Sequence, residues 1–169
     1  MSTEAESNDM KSTKPLPEHA WLQQLVGTWK SENEMMMGSD GEVGHSLGTE
    51  HVVSLGGLWA YFTGEGEMPD GSTMTYHSGL GYDVSFREYR GFWIASMSSH
   101  LWTYRGKLSE DGKTMTLDCV GPHMEKDGET ANYRDVIEII DVDHRTLTSF
   151  GQQEDGEWVL FMKATLTRV

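Results

Sequence analysis

Apolar and polar residues alternate with a period of two along most of this chain, the spacing of a strand with one buried face. The last run, 157–168, shows it most clearly: Trp158, Leu160, Met162, Ala164 and Leu166 share one side. In the first, 26–37, Thr28, Lys30, Glu32 and Glu34 make a polar side, which turns Trp29, Ser31, Asn33, Met35 and Met37 inward. Further runs of this kind cover 47–55, 58–66, 73–82, 88–96, 101–108, 114–120, 131–140 and 146–152. Turn signals separate them at Gly38–Gly41, Gly56–Gly57, Pro69–Gly71, Asp83–Ser85, Glu110–Gly112, Lys126–Gly128, Asp141–His144 and Glu154–Gly156. Asp-Gly pairs at 40–41, 70–71, 111–112, 127–128 and 155–156 are strong short-hairpin chemistry. About ten strands with short connections predict an all-β, antiparallel up-and-down barrel, whose closure also removes exposed edges. Helical spacing occurs once, from Pro17 to Leu25, where Trp21, Leu22 and Leu25 fall on one side and Glu18 occupies the first turn. Residues 1–14 offer nothing to bury and read as a disordered tail, so a single domain is expected over 15–169.

Composition agrees with strands and restricts partners. Nineteen glycines suit short strands and tight turns, and six Trp, six Tyr, five Phe and eleven Met supply either a core or an adaptable apolar lining. The formal net charge of −14 disfavours nucleic acid and anionic membrane surfaces as partners. A single cysteine, Cys119, rules out an internal disulfide and any multi-cysteine metal knuckle, and it fits a reducing compartment. Neither an apolar leader nor a run of transmembrane length is present, so a cytoplasmic protein is expected.

Leu25-Val26-Gly27-Thr28-Trp29 places a Gly-x-Trp at the opening of the first strand, directly after the short helix. Here the chain resembles the calycins, the lipocalin and fatty-acid-binding superfamily. That resemblance implies a tryptophan plugging the barrel base, covered by a basic residue near the end of the last strand. Arg168 stands at that place, and a cation–π contact with Trp29 would be worth on the order of 1 kcal/mol. Gly27, Trp29 and Arg168 are therefore expected to be structural. Further stretches narrow the likeness: Leu55-Gly56-Gly57, Gly79-Leu80-Gly81-Tyr82-Asp83, Trp93 to Met97, Tyr133-Arg134 and Thr165-Leu166-Thr167-Arg168. With these, residues from Glu18 to Arg168 resemble the bacterial domain-of-unknown-function family 1579. The resemblance implies a lipocalin-like barrel and supplies no activity and no site.

Candidate chemistry is sparse. No two of the seven histidines have the spacing of a strand or helix metal pair, so no metal site is expected. His45, His123 and His144 fall in turns, whereas His51 and His77 fall in strands. His77 alternates with Gly79 and Gly81, small residues that leave room for a ligand if this side faces in. Glu50 beside His51 is a candidate buried carboxylate, able to serve as acid or base, or else ion-paired, for example to Arg134. Asp118 beside Cys119 carries the same ambiguity. Some related ten-stranded barrels hold haem on a C-terminal histidine. Glu157–Val169 has none, so no cofactor is expected. Gly79-Leu80-Gly81 lies in a strand and does not open a helix, so it is no phosphate cradle.

The expected ligand cavity comprises Glu50, His77, Trp93, Met97, Tyr104 and Met162, an apolar wall with one or two polar anchors. A barrel of this size accommodates one small apolar or amphipathic ligand. The alternatives are an enzyme of isomerase or hydrolase type using Glu50 or His77, and a collapsed barrel acting through protein–protein contacts. Phe92, Ile94 and Phe161 are expected on the outer face, where they would support a homo-oligomer.

Overall fold

The five Asp-Gly pairs fold as turns, and the glycine of each takes a left-handed φ, from 71° at Gly41 and Gly112 to 89° at Gly156. In the computed structural model, which describes residues 12–38 and 40–169, these turns join ten strands. They are β1 Gly27–Met37, β2 Glu42–Leu55, β3 Trp59–Glu67, β4 Thr73–Asp83, β5 Glu88–Ala95, β6 Ser98–Leu108, β7 Thr114–Pro122, β8 Thr130–Ile139, β9 His144–Gln152 and β10 Trp158–Arg168. Each strand pairs antiparallel with the next, and β10 returns to β1 with Arg168 opposite Trp29 and Met162 opposite Met35. The sheet is thus a closed meander. The expected disordered tail falls largely on residues 1–11, which lie outside the described residues.

One helix, α1 Pro17–Gln23, lies against one end of the barrel. Its apolar side is fully buried through Leu22, with Leu25 just beyond. Three long-range bonds anchor it: Trp21 Nε1 donates to the Gly112 carbonyl at 2.7 Å, the Tyr89 hydroxyl donates to the Glu18 carbonyl at 2.9 Å, and His19 Nε2 lies 3.0 Å from the Tyr82 carbonyl. The Leu16 amide donates to His19 Nδ1 at 2.9 Å, which leaves Nε2 as the ring's donor. Leu22, Leu25, Trp29, Val52 and Met115 fill this end, so it is a packed floor. No helix among the described residues is long and apolar enough to cross a membrane.

Two local features depart from the alternation expected of the sequence. A register shift between Leu160 and Met162 adds a residue to β10. It turns Trp158 outward, where the Arg134 guanidinium lies 4.2 Å from its ring centre, and brings Phe161 inward against the Tyr133 ring at 6.3 Å. Phe161 therefore does not join Phe92 and Ile94 on the outer face. The second departure is a two-residue turn, Ser96-Met97, that carries no glycine or aspartate. The neighbouring strand holds it instead: Ser96 donates its amide to the Thr75 carbonyl at 2.8 Å and accepts the Thr75 amide on its hydroxyl at 3.0 Å.

Candidate functional site

Inward positions on the strands are packed near the floor and progressively accessible above it. Along β1, Trp29 is buried, Ser31 and Asn33 are half-buried, and Met35 is exposed. Midway up the wall Trp102, Asp135 and Leu147 also point inward and are only half-buried. Inward side chains that still touch solvent show that the interior is less tightly filled above the floor than at it.

Aromatic rings make much of its wall. Tyr76 lies over Gly64, where any side chain would overlap its ring, and stacks on Trp93 with ring centres 5.9 Å apart. Farther round, Trp102 meets the edge of His100 at 4.8 Å and that of Tyr133 at 5.1 Å. Trp102 likewise occupies the space above Gly121. Large rings set over glycines keep the wall thin and the rings flat against it.

Two polar clusters interrupt this lining. At the floor, one nitrogen of the Arg145 guanidinium, Nη2, donates to both carboxylate oxygens of Glu50 at 2.9 Å. Both side chains are almost wholly buried, at 2% and 8% exposure. Arg145 Nε is enclosed with no partner among the described residues. The Arg145 guanidinium carbon is 4.7 Å from the Trp29 ring centre and that of Arg168 is 4.2 Å, so two cations share one indole. Arg168 also donates to the carbonyls of Gln24, Val26 and Val142. Gly27, at φ 141°, leaves space that a side chain would take from that guanidinium. Burial, and then the nearby Glu50 carboxylate, push the Tyr76 hydroxyl well above its ordinary range.

The second cluster lies across β6, β8 and β9. Tyr104 donates to one oxygen of Asp135 at 2.6 Å, and Ser149 donates to the other at 2.6 Å. Burial raises the Asp135 carboxyl above the usual carboxylate value, and the two hydroxyl donors only partly oppose it. Cys119 is also buried, and burial together with the Asp135 and Asp118 charges pushes its thiol up to about 12. It is therefore a protonated wall residue and a poor nucleophile at neutral pH.

Of the residues expected to line a cavity, Glu50, Trp93, Tyr104 and Met162 occupy the inner face. His77 and Met97 do not. Tyr76 and Ser78 hold the inward phase of β4, so His77 points outward, is exposed, and meets the Tyr61 hydroxyl at 2.9 Å. Gly79 and Gly81 are small on that outer side because the Phe92 and Trp59 rings lie across them. Met97 is 59% exposed at the tip of the β5–β6 turn. The partner of Glu50 is Arg145; Arg134 lies on the outer side, bonded to Asp118 at 2.7 Å. His77 also borders an open outer recess of about 300 Å³ with His51 and Thr63. Within it Thr28 meets His51 at 3.0 Å and the Thr63 hydroxyl donates to the His51 carbonyl at 3.4 Å. Among the described residues no group of three or more His, Cys, Asp or Glu could hold a metal ion.

A closed ten-strand meander with a helix across its floor and an arginine on its base tryptophan defines a calycin-like barrel. The chain belongs to the family described as protein of unknown function DUF1579, which it matches over residues 14–168. Two solved structures share the fold. Rv2717c from M. tuberculosis aligns with a TM-score of 0.64 at 14% identity, covering 92% of this chain and 99% of that one. The S-type phycobiliprotein lyase CPES from Guillardia theta aligns with a TM-score of 0.57, also at 14% identity, covering 92% and 98%. No curated protein matches the chain.

Proposed function

We propose that this protein binds one small, flat, amphipathic molecule in the lumen above the Trp29 floor. The observation that carries this reading is the set of inward, half-buried rings of Tyr76, Trp93 and Trp102 beside polar groups that point the same way. An apolar aromatic wall with a few convergent polar groups is the usual make-up of a small-molecule site. The fold shared with an S-type phycobiliprotein lyase is compatible with such a role. A collapsed barrel is less favoured, because filling the lumen would bury these rings. An enzyme using Glu50 or His77 is less favoured, since His77 points outward and Glu50 is held in an ion pair with Arg145.

The test is titration with a neutral anilinonaphthalene dye, followed by dye emission and tryptophan quenching. Micromolar binding is expected, weakened roughly ten-fold by Trp93→Ala with the far-UV circular dichroism unchanged. Failure of this dye and a broad panel of aromatic and lipid probes to bind or to raise Tm would overturn the reading.

A further inference from the structure

Three charged side chains on the inner face are already answered by other groups: Glu50 by Arg145, Arg145 by Glu50, and Arg168 by backbone carbonyls and Trp29. Asp135 is different. Among the described residues no Lys, Arg or His pairs with it; its partners are two neutral hydroxyls. Each carboxylate oxygen accepts one hydrogen bond from the wall, and a carboxylate has about four acceptor positions in all. It is half-buried on the inward side of β8, two residues from Tyr133, whose ring continues to Trp102 and Phe161. Its register neighbours on β7 and β9 are Leu117 and Ser149, so the residues directly opposite it bring no charge.

We propose that Asp135 is the polar anchor of the lumen and that it selects aromatic cations over ligands carrying a carboxylate or sulfonate. The inference rests on the lumen being a ligand site and adds the chemical class of the ligand. An uncompensated carboxylate withdrawn from bulk water gains most from a partner that brings positive charge. The rings of Trp102, Tyr133 and Phe161 give the same ligand an aromatic surface, and aromatic faces also attract cations. The whole molecule reinforces the choice, since a net charge of −14 raises the local concentration of cations and lowers that of anions. Tyr104 and Ser149 fix the carboxylate against the wall, which leaves the outer lone pairs for the ligand.

Three probes of similar size separate the outcomes: a neutral anilinonaphthalene, its sulfonate, and the cationic dye thioflavin T. The protein should bind thioflavin T at least about ten-fold more tightly than the sulfonate. Asp135→Asn should remove roughly ten-fold of the thioflavin T affinity and leave that of the neutral dye unchanged. Asp118→Asn removes the same unit of charge from the outer wall and should alter neither affinity, which distinguishes the anchor from the overall field. If Asp135→Asn does not fold, Ser149→Ala serves instead. It keeps the carboxylate and removes one competing donor, so thioflavin T binding should hold or tighten. An unchanged thioflavin T affinity in Asp135→Asn, a loss equalled by Asp118→Asn, or weakened binding in Ser149→Ala would overturn the inference. Loss of the neutral dye from the unmodified protein would instead overturn the lumen as a site.

Discussion

Asp135 shows how a single buried group couples solution conditions to stability. Its carboxyl is raised in the folded state, so the folded protein holds a proton there that the unfolded chain releases more readily. Its contribution to stability is fully present below the unfolded carboxylate pKa and is lost as pH rises through the folded value. The stability of the protein relative to Asp135→Asn should therefore fall as pH rises from the acid side of that window to neutrality, as checked by urea melts across the range. A constant difference would contradict a raised carboxyl. Glu50 and Arg145 obey a different rule, because each is the other's ion-pair partner in a buried place. Arg145→Met alone should destabilise by about 3–5 kcal/mol by leaving a buried carboxylate unpaired, whereas Arg145→Met with Glu50→Leu should recover most of that loss. Equal destabilisation of the single and double variants would show that the ion pair is not what holds the floor.

At the scale of elements, helix and hairpins contribute by where they attach. α1 has only seven residues, too short to be stable alone, and its order comes from Leu22 and the anchors to Gly112, Tyr82 and Tyr89. Leu22→Ala should therefore cost about 2–5 kcal/mol, read from chemical denaturation. A much smaller loss would mean that the floor repacks without the helix. The helix, the outline of the strands and the five Asp-Gly turns are legible in the sequence, because their signals are local. The Ser96-Met97 turn is not, because its bonds come from Thr75 on another strand. Nor is the β10 irregularity: Val159, Leu160, Phe161 and Met162 are all apolar, and an extra residue leaves no mark in such a run.

For the whole molecule, closure places the charges. The excess of 27 acidic over 13 basic residues gives the molecule as a whole a negative field. Association of a cationic ligand should therefore slow as salt rises, most steeply below physiological ionic strength, where the Debye length exceeds about 8 Å. Stopped-flow association rates for thioflavin T at rising sodium chloride check this, and a salt-independent rate would remove long-range attraction from the account.

By itself the sequence determined the barrel class, the base tryptophan with its arginine, and the inward phase of Trp93, because period-two alternation and turn chemistry act over a few residues. Asp135 was within reach of the same reading, since it interrupts the apolar series Tyr133, Ile137 and Ile139. Arg145 was less so, lying where a turn signal ends and a strand begins. Tertiary structure alone decided that Glu50 meets Arg145, that His77 faces outward, and that no Lys, Arg or His among the described residues pairs with Asp135. Each of these depends on the bonds that join strands distant in sequence. Glu50 and Arg145 are 95 residues apart, and only closure of β10 onto β1 brings their strands around one floor.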